Sequence, residues 1–102
     1  MVFYYLAMYT AAMLELQAIV SGKVHGVAYR TYVQDVATVV GLVGTVQNMS
    51  DGTVQVIAHG SQEDLKDLVE HLYEGSLLAQ VESVAVEWGN PQVTFSEFSV
   101  LH

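Results

Sequence analysis

The sequence predicts an α+β fold, an antiparallel sheet with two helices packed on one face, and three observations carry that prediction. Strand-like alternation and helix-like periodicity follow one another in the order β-α-β-β-α-β, with a further short strand at the end. The only proline is Pro91, so no such breaker interrupts the earlier segments. With 102 residues, 52% of them apolar and 14% charged, the chain has enough apolar surface for one core and too little length for two domains.

The elements follow in order. Residues 15–21 alternate, with Leu16, Ala18 and Val20 on one face and Ile19 on the other, as in a half-buried strand. Gly22-Lys23-Val24-His25-Gly26 breaks this pattern. A helical stripe then runs through Tyr29, Tyr32, Val33, Val36, Val39 and Val40 and stops at Gly41. Its β-branched valines are poor helix formers, so this helix depends on tertiary packing. Two strands are expected at about 42–49 and 53–59, joined through Asp51-Gly52, a strong hairpin signal, with Val54, Val56 and Ala58 facing one way. The second helix is the clearest: it spans 62–74, with Ser61 as its cap, Leu65, Leu68, Val69 and Leu72 as its buried stripe, and Gly75 as its stop. Residues 81–88 read as a strand through Val84, Val86 and Trp88, and a last strand is expected at about 94–101. This order is the split βαβ arrangement of ferredoxin-like folds, and right-handed crossovers leave few other topologies. Such a fold hosts many activities, so function has to be argued from a site.

Composition narrows the functional classes. There is no cysteine, which excludes disulfides, thiolate metal sites and cysteine nucleophiles and favours a reducing, cytoplasmic compartment. A net charge of −8, from eleven acidic and three basic residues, repels nucleic acid and anionic membranes alike. Residues 1–14 carry no charge and are largely apolar, yet lack the basic start of a signal peptide and the roughly 18 apolar residues of a membrane span. They read as an N-terminal apolar extension to a domain at 15–102. Pairing with another chain and export are the other readings of that extension; a monomer is the expectation.

The scarce positive charges are the informative ones. Lys23, Arg30 and Lys66 are the only basic side chains besides histidine, and two of them flank one glycine-containing loop that feeds a helix N-terminus. A cation in the first turn opposes the helix dipole at a cost of about 0.3–1 kcal/mol. A bound phosphate would resolve that conflict, because loop amides and a forked guanidinium can together hold phosphoryl oxygens. The residues alone also allow Arg30 to be an ordinary exposed helix residue with glycines that merely turn the chain. Neither a Walker A motif nor a dinucleotide fingerprint is present, since Val24 follows Gly22-Lys23.

The run Gly22-Lys23-Val24-His25-Gly26-Val27-Ala28-Tyr29-Arg30 resembles the signature of the acylphosphatase family. The resemblance continues through Val33-Gln34, Gly41-Leu42-Val43-Gly44, Val46-Gln47-Asn48 and Asp51-Gly52-Thr53-Val54, and covers about 16–100. Two positions depart from the family pattern: Thr45 stands where tryptophan is frequent, and Ser76-Leu77 replaces a frequent Ser-Pro. The resemblance implies hydrolysis of the carboxyl-phosphate bond of a small acyl phosphate, without metal or cofactor. It assigns phosphate binding to Gly22, Lys23, Val24, His25, Gly26, Val27, Ala28, Tyr29 and Arg30, and catalysis to Arg30 and Asn48, the asparagine positioning water. The alternatives are a non-catalytic anion-binding module on the same fold and an acylphosphatase-like unit of a larger carbamoyl-phosphate-using enzyme; the absence of a further domain after His102 speaks against the latter.

The remaining candidates have plainer readings. His25 reads as a variable loop position and His102 as a chain end. His59 and His71 stand alone without metal-ligand spacing. Tyr29 and Tyr32 read as packing residues. The acids Glu63, Asp64, Asp67, Glu70 and Glu74 form a solvated helix face. Asn48-Met49-Ser50 matches a glycosylation sequon only as short patterns do by chance.

Overall fold

The computed structural model describes residues 13–102, so the extension read at 1–14 lies, up to residue 12, outside the described residues. The elements are β1 (Leu14–Lys23), α1 (Tyr29–Val40), β2 (Val43–Asn48), β3 (Val54–Gly60), α2 (Gln62–Glu74), β4 (Gln80–Gly89) and β5 (Phe98–Leu101). They build one five-stranded sheet in the order β4-β1-β3-β2-β5. The four strands of the split βαβ unit pair antiparallel, as expected. β5 instead lies parallel to β2, so the sheet as a whole is mixed.

Alternation explains the core. Leu16, Ala18 and Val20 of β1 oppose Ala58, Val56 and Val54 of β3 in register, and all six are fully buried. Leu65, Leu68 and Leu72 of α2 close over the same face, as their spacing requires. Among the described residues no helix is long and apolar enough to cross a membrane.

Two expectations are corrected in detail, for α1 and for the last strand. α1 buries Tyr29, Val33 and Ala37, and Val39 is 88% exposed. Two residues beyond Ala37 the helix has turned about 200°, so Val39 points away from the sheet that Ala37 faces. Val86 and Trp88 share the helix side of the sheet with buried Val84, but β4 is an edge strand and leaves both about two-fifths exposed. The last strand is shorter than the expected 94–101. Phe95, just ahead of it, lies 5.0 Å from His59, centroid to centroid. His59 is itself buried and hydrogen-bonds Glu15 at 2.9 Å, which holds the Glu15 carboxyl below its usual pKa.

Candidate active site

β1 and β2 both run antiparallel to β3, and β5 runs parallel to β2. These three strands therefore share a direction, and their C-terminal ends meet at one edge of the sheet. The loop after β1, Asn48 at the end of β2, and Leu101 and His102 at the end of β5 all come to this edge. So does the N-terminus of α1. A cavity of about 120 Å³ lies there, lined by Val24, Gly26, Ala28, Tyr29, Arg30, Thr31, Asn48, Val100 and His102.

The loop between β1 and α1 owes its shape to local backbone choices. Gly22 sits at a bulge where the β1–β4 register shifts, at φ 124°, and a side chain there would collide with the Gln80 carbonyl of β4. Gly26 follows at φ 68°. Ala28, the residue that opens α1, is held at φ 59°, a left-handed conformation that costs an L-residue about 1–2 kcal/mol. Among the described residues no side chain caps α1, and no acid stands in its first turn. The orphan N–H groups and the positive end of the dipole are thereby left for an anion.

Two clamps hold this loop from behind. The Tyr29 hydroxyl donates to the Leu72 carbonyl at 2.8 Å, using one of the terminal carbonyls of α2, and burial raises its pKa so that it remains a donor. Ser76 Oγ donates to the Val27 carbonyl at 3.0 Å. Tyr32 repeats the first clamp on His71 O at 2.8 Å. The tyrosines are packing residues, as read from the sequence, with hydroxyls that fix the helix N-terminus against α2.

Arg30 is oriented by β5. One Nη1 hydrogen bond goes to the Leu101 carbonyl at 2.9 Å, and His102 Nδ1 lies 3.4 Å from the same atom. A guanidinium has five N–H donors, so most of the fork stays available to a ligand. Asn48 lines the same cavity. Its Oδ1 is buried with no hydrogen-bond partner among the described residues, the kind of buried acceptor that native proteins seldom retain without a use.

The geometry sorts the residues proposed from the sequence. Val24, Gly26, Ala28, Tyr29, Arg30 and Asn48 line one cavity. Gly22 and Lys23 remain in β1, paired with Val81 and Gln80, and Val27 is anchored under Ser76. His25 turns toward the β2–β3 turn, where its Nε2 lies 2.8 Å from the Thr53 carbonyl. Thr31, Val100 and His102 are additional lining residues. His102 carried no signal beyond its chemistry, because the parallel placement of β5 beside β2 brings it here. Among the described residues no group of three or more His, Asp or Glu could hold a metal ion.

The chain is similar to known proteins over most of its length. The acylphosphatase family model matches residues 16–100. An acylphosphatase of Thermus thermophilus is 46% identical over 74 residues, covering 72% of this chain and 84% of that relative. One from Methanococcoides burtonii is 41% identical over 81 residues, covering 79% and 84%. The crystal structure of acylphosphatase from Bacillus subtilis superposes with a TM-score of 0.84 at 32% identity, over 87% of this chain and 99% of that one.

Proposed function

The chain belongs to the acylphosphatase family, and on that premise we propose that Arg30 and the Val24–Ala28 loop amides hold the phosphoryl group while Asn48 orients the attacking water. The reaction is hydrolysis of the carboxyl-phosphate bond of a small acyl phosphate to a carboxylate and inorganic phosphate. The single observation that carries the residue roles is the pairing, in one cavity, of an arginine in the first turn of α1 with Asn48, whose amide oxygen has no hydrogen-bond partner among the described residues.

The chemistry asks little more than this. The leaving carboxylate has a conjugate acid of pKa about 4, so it departs without a general acid. Phosphoryl transfer needs alignment and stabilisation of charge on the non-bridging oxygens, which the amides and the guanidinium supply. The Asn48 amide, on the cavity wall, holds the water with a lone pair of the water oxygen toward phosphorus. As the water oxygen bonds to phosphorus, the bond to the carboxylate oxygen breaks and that oxygen keeps the electron pair. A phosphoryl oxygen takes the water proton, since an amide cannot. The cysteine-free sequence supports a cytoplasmic address.

The test is phosphate release from benzoyl phosphate, with EDTA present, by the native protein beside Arg30→Ala and Asn48→Ala. Turnover in the native protein and its loss in both variants, with far-UV circular dichroism unchanged, is the expected result. A native protein that binds phosphate without turnover would make the cradle an anion-binding module.

A further inference from the structure

We infer that His25 is a positioning residue that sets the spacing between the phosphate cradle and Asn48. The inference rests on the roles proposed for Arg30 and Asn48. Those two groups come from different parts of the chain, the β1–α1 loop with its helix and the end of β2, and in-line attack requires a defined separation between them. The clamps through Tyr29 and Ser76 tie the loop to α2 and the segment after it, not to β2 or the turn that follows it.

On the side toward Asn48, His25 makes the connection. Its Nε2 lies 2.8 Å from the Thr53 carbonyl. A carbonyl only accepts, so this ring nitrogen carries the hydrogen and donates it. The same carbonyl accepts the backbone N–H of Met49, the residue after Asn48, at 2.8 Å. Thr53 is fixed in turn by Asp51, whose Oδ1 accepts the Thr53 N–H at 3.0 Å and its hydroxyl at 2.6 Å. These hydrogen bonds hold the Asp51 carboxyl below its usual pKa, with a smaller contribution from nearby His25. The imidazole is thus joined through one shared oxygen to the backbone that carries Asn48. His25 does not line the cavity. It acts through the placement of its neighbours.

Misplacing a reacting group by about 1 Å can reduce turnover by up to about 10²-fold. Loss of one tether should fall short of that, because the sheet still holds Asn48 and α2 still holds the loop. His25→Ala is therefore expected to lower kcat for benzoyl phosphate on the order of 10-fold, leaving KM and the inhibition constant of inorganic phosphate within about twofold. His25→Gln, whose amide nitrogen stands close to where the imidazole Nε2 stood, should recover at least half of the lost kcat. Asn48→Ala measured in the same assay separates the two levels of the argument. If Asn48→Ala loses turnover and His25→Ala does not, the positioning role is overturned while the catalytic reading stands. If Asn48→Ala keeps full turnover, the catalytic reading itself has failed. A rise in KM alone for His25→Ala, or a kcat loss that glutamine does not recover, also overturns the proposal. The side chain is exposed, so both variants should fold, and urea unfolding checks that they do.

Discussion

The two helices lie on the same sheet and obey opposite rules at their N-termini. α2 is built for stability: Ser61 Oγ accepts the Asp64 N–H at 3.1 Å, Glu63 and Asp64 stand in the first turn, and His71 stands in the last. The cap satisfies an orphan donor and the two acids complement the dipole. α1 opens on Ala28 in a left-handed conformation, has no capping side chain among the described residues, and places Arg30 where the dipole disfavours a cation. What separates them is the use of the helix end. One N-terminus is satisfied by its own chain, while the other is kept for an anion, and its lower intrinsic stability is offset by tyrosine hydroxyls bonded to the far end of α2.

That contrast can be broken experimentally, and the largest effect should come at the cation. Arg30→Lys keeps the charge and loses the planar fork, so kcat/KM is expected to fall on the order of 10³-fold in a benzoyl phosphate assay. Near-native turnover would remove Arg30 from the site. Ser61→Ala should act in the opposite sense, with about 1 kcal/mol lost in urea unfolding and kcat/KM within twofold of native. If activity falls with stability, the two helix ends are not separable. Ala28→Gly should relieve the left-handed strain and raise stability by about 0.5–1 kcal/mol, read by the same unfolding experiment. A loss of stability there would mean that the Ala28 methyl makes a contact worth more than the strain. The smallest expected effect concerns the whole field. Because the net charge is −8, raising ionic strength from about 10 to about 150 mM should increase kcat/KM about twofold by screening repulsion of the substrate. A steep fall would mean that local attraction at α1 outweighs the far field.

The asymmetry between the helices also explains what could be read in advance. α2 was readable residue by residue, from Ser61 through its leucine stripe to Gly75, because cap, period and stop all agree with the final structure. α1 was harder. Its valines suggested a stripe through Val39, and the helix instead turns Ala37 to the sheet, because packing selects a face from among several apolar residues. At the site, Arg30 stood out because it breaks a local rule. Asn48 stood out only through the family resemblance, since an asparagine at a strand end beside a hairpin is ordinary in itself.

The order of elements, the alternation that puts Leu16, Ala18 and Val20 on one face of β1, and the helix that follows a glycine-containing loop are written in the sequence. They depend on neighbours a few residues apart. The assembly of the site is not. Arg30 is 71 residues from the Leu101 carbonyl that orients it, and His25 is 28 from the Thr53 carbonyl it holds. Those partners meet only because β1, β2 and β5 run in one direction and end at a common edge, a consequence of strand pairing across the whole sheet. Local propensity chose the pieces, and long-range hydrogen bonding and burial chose which of them touch.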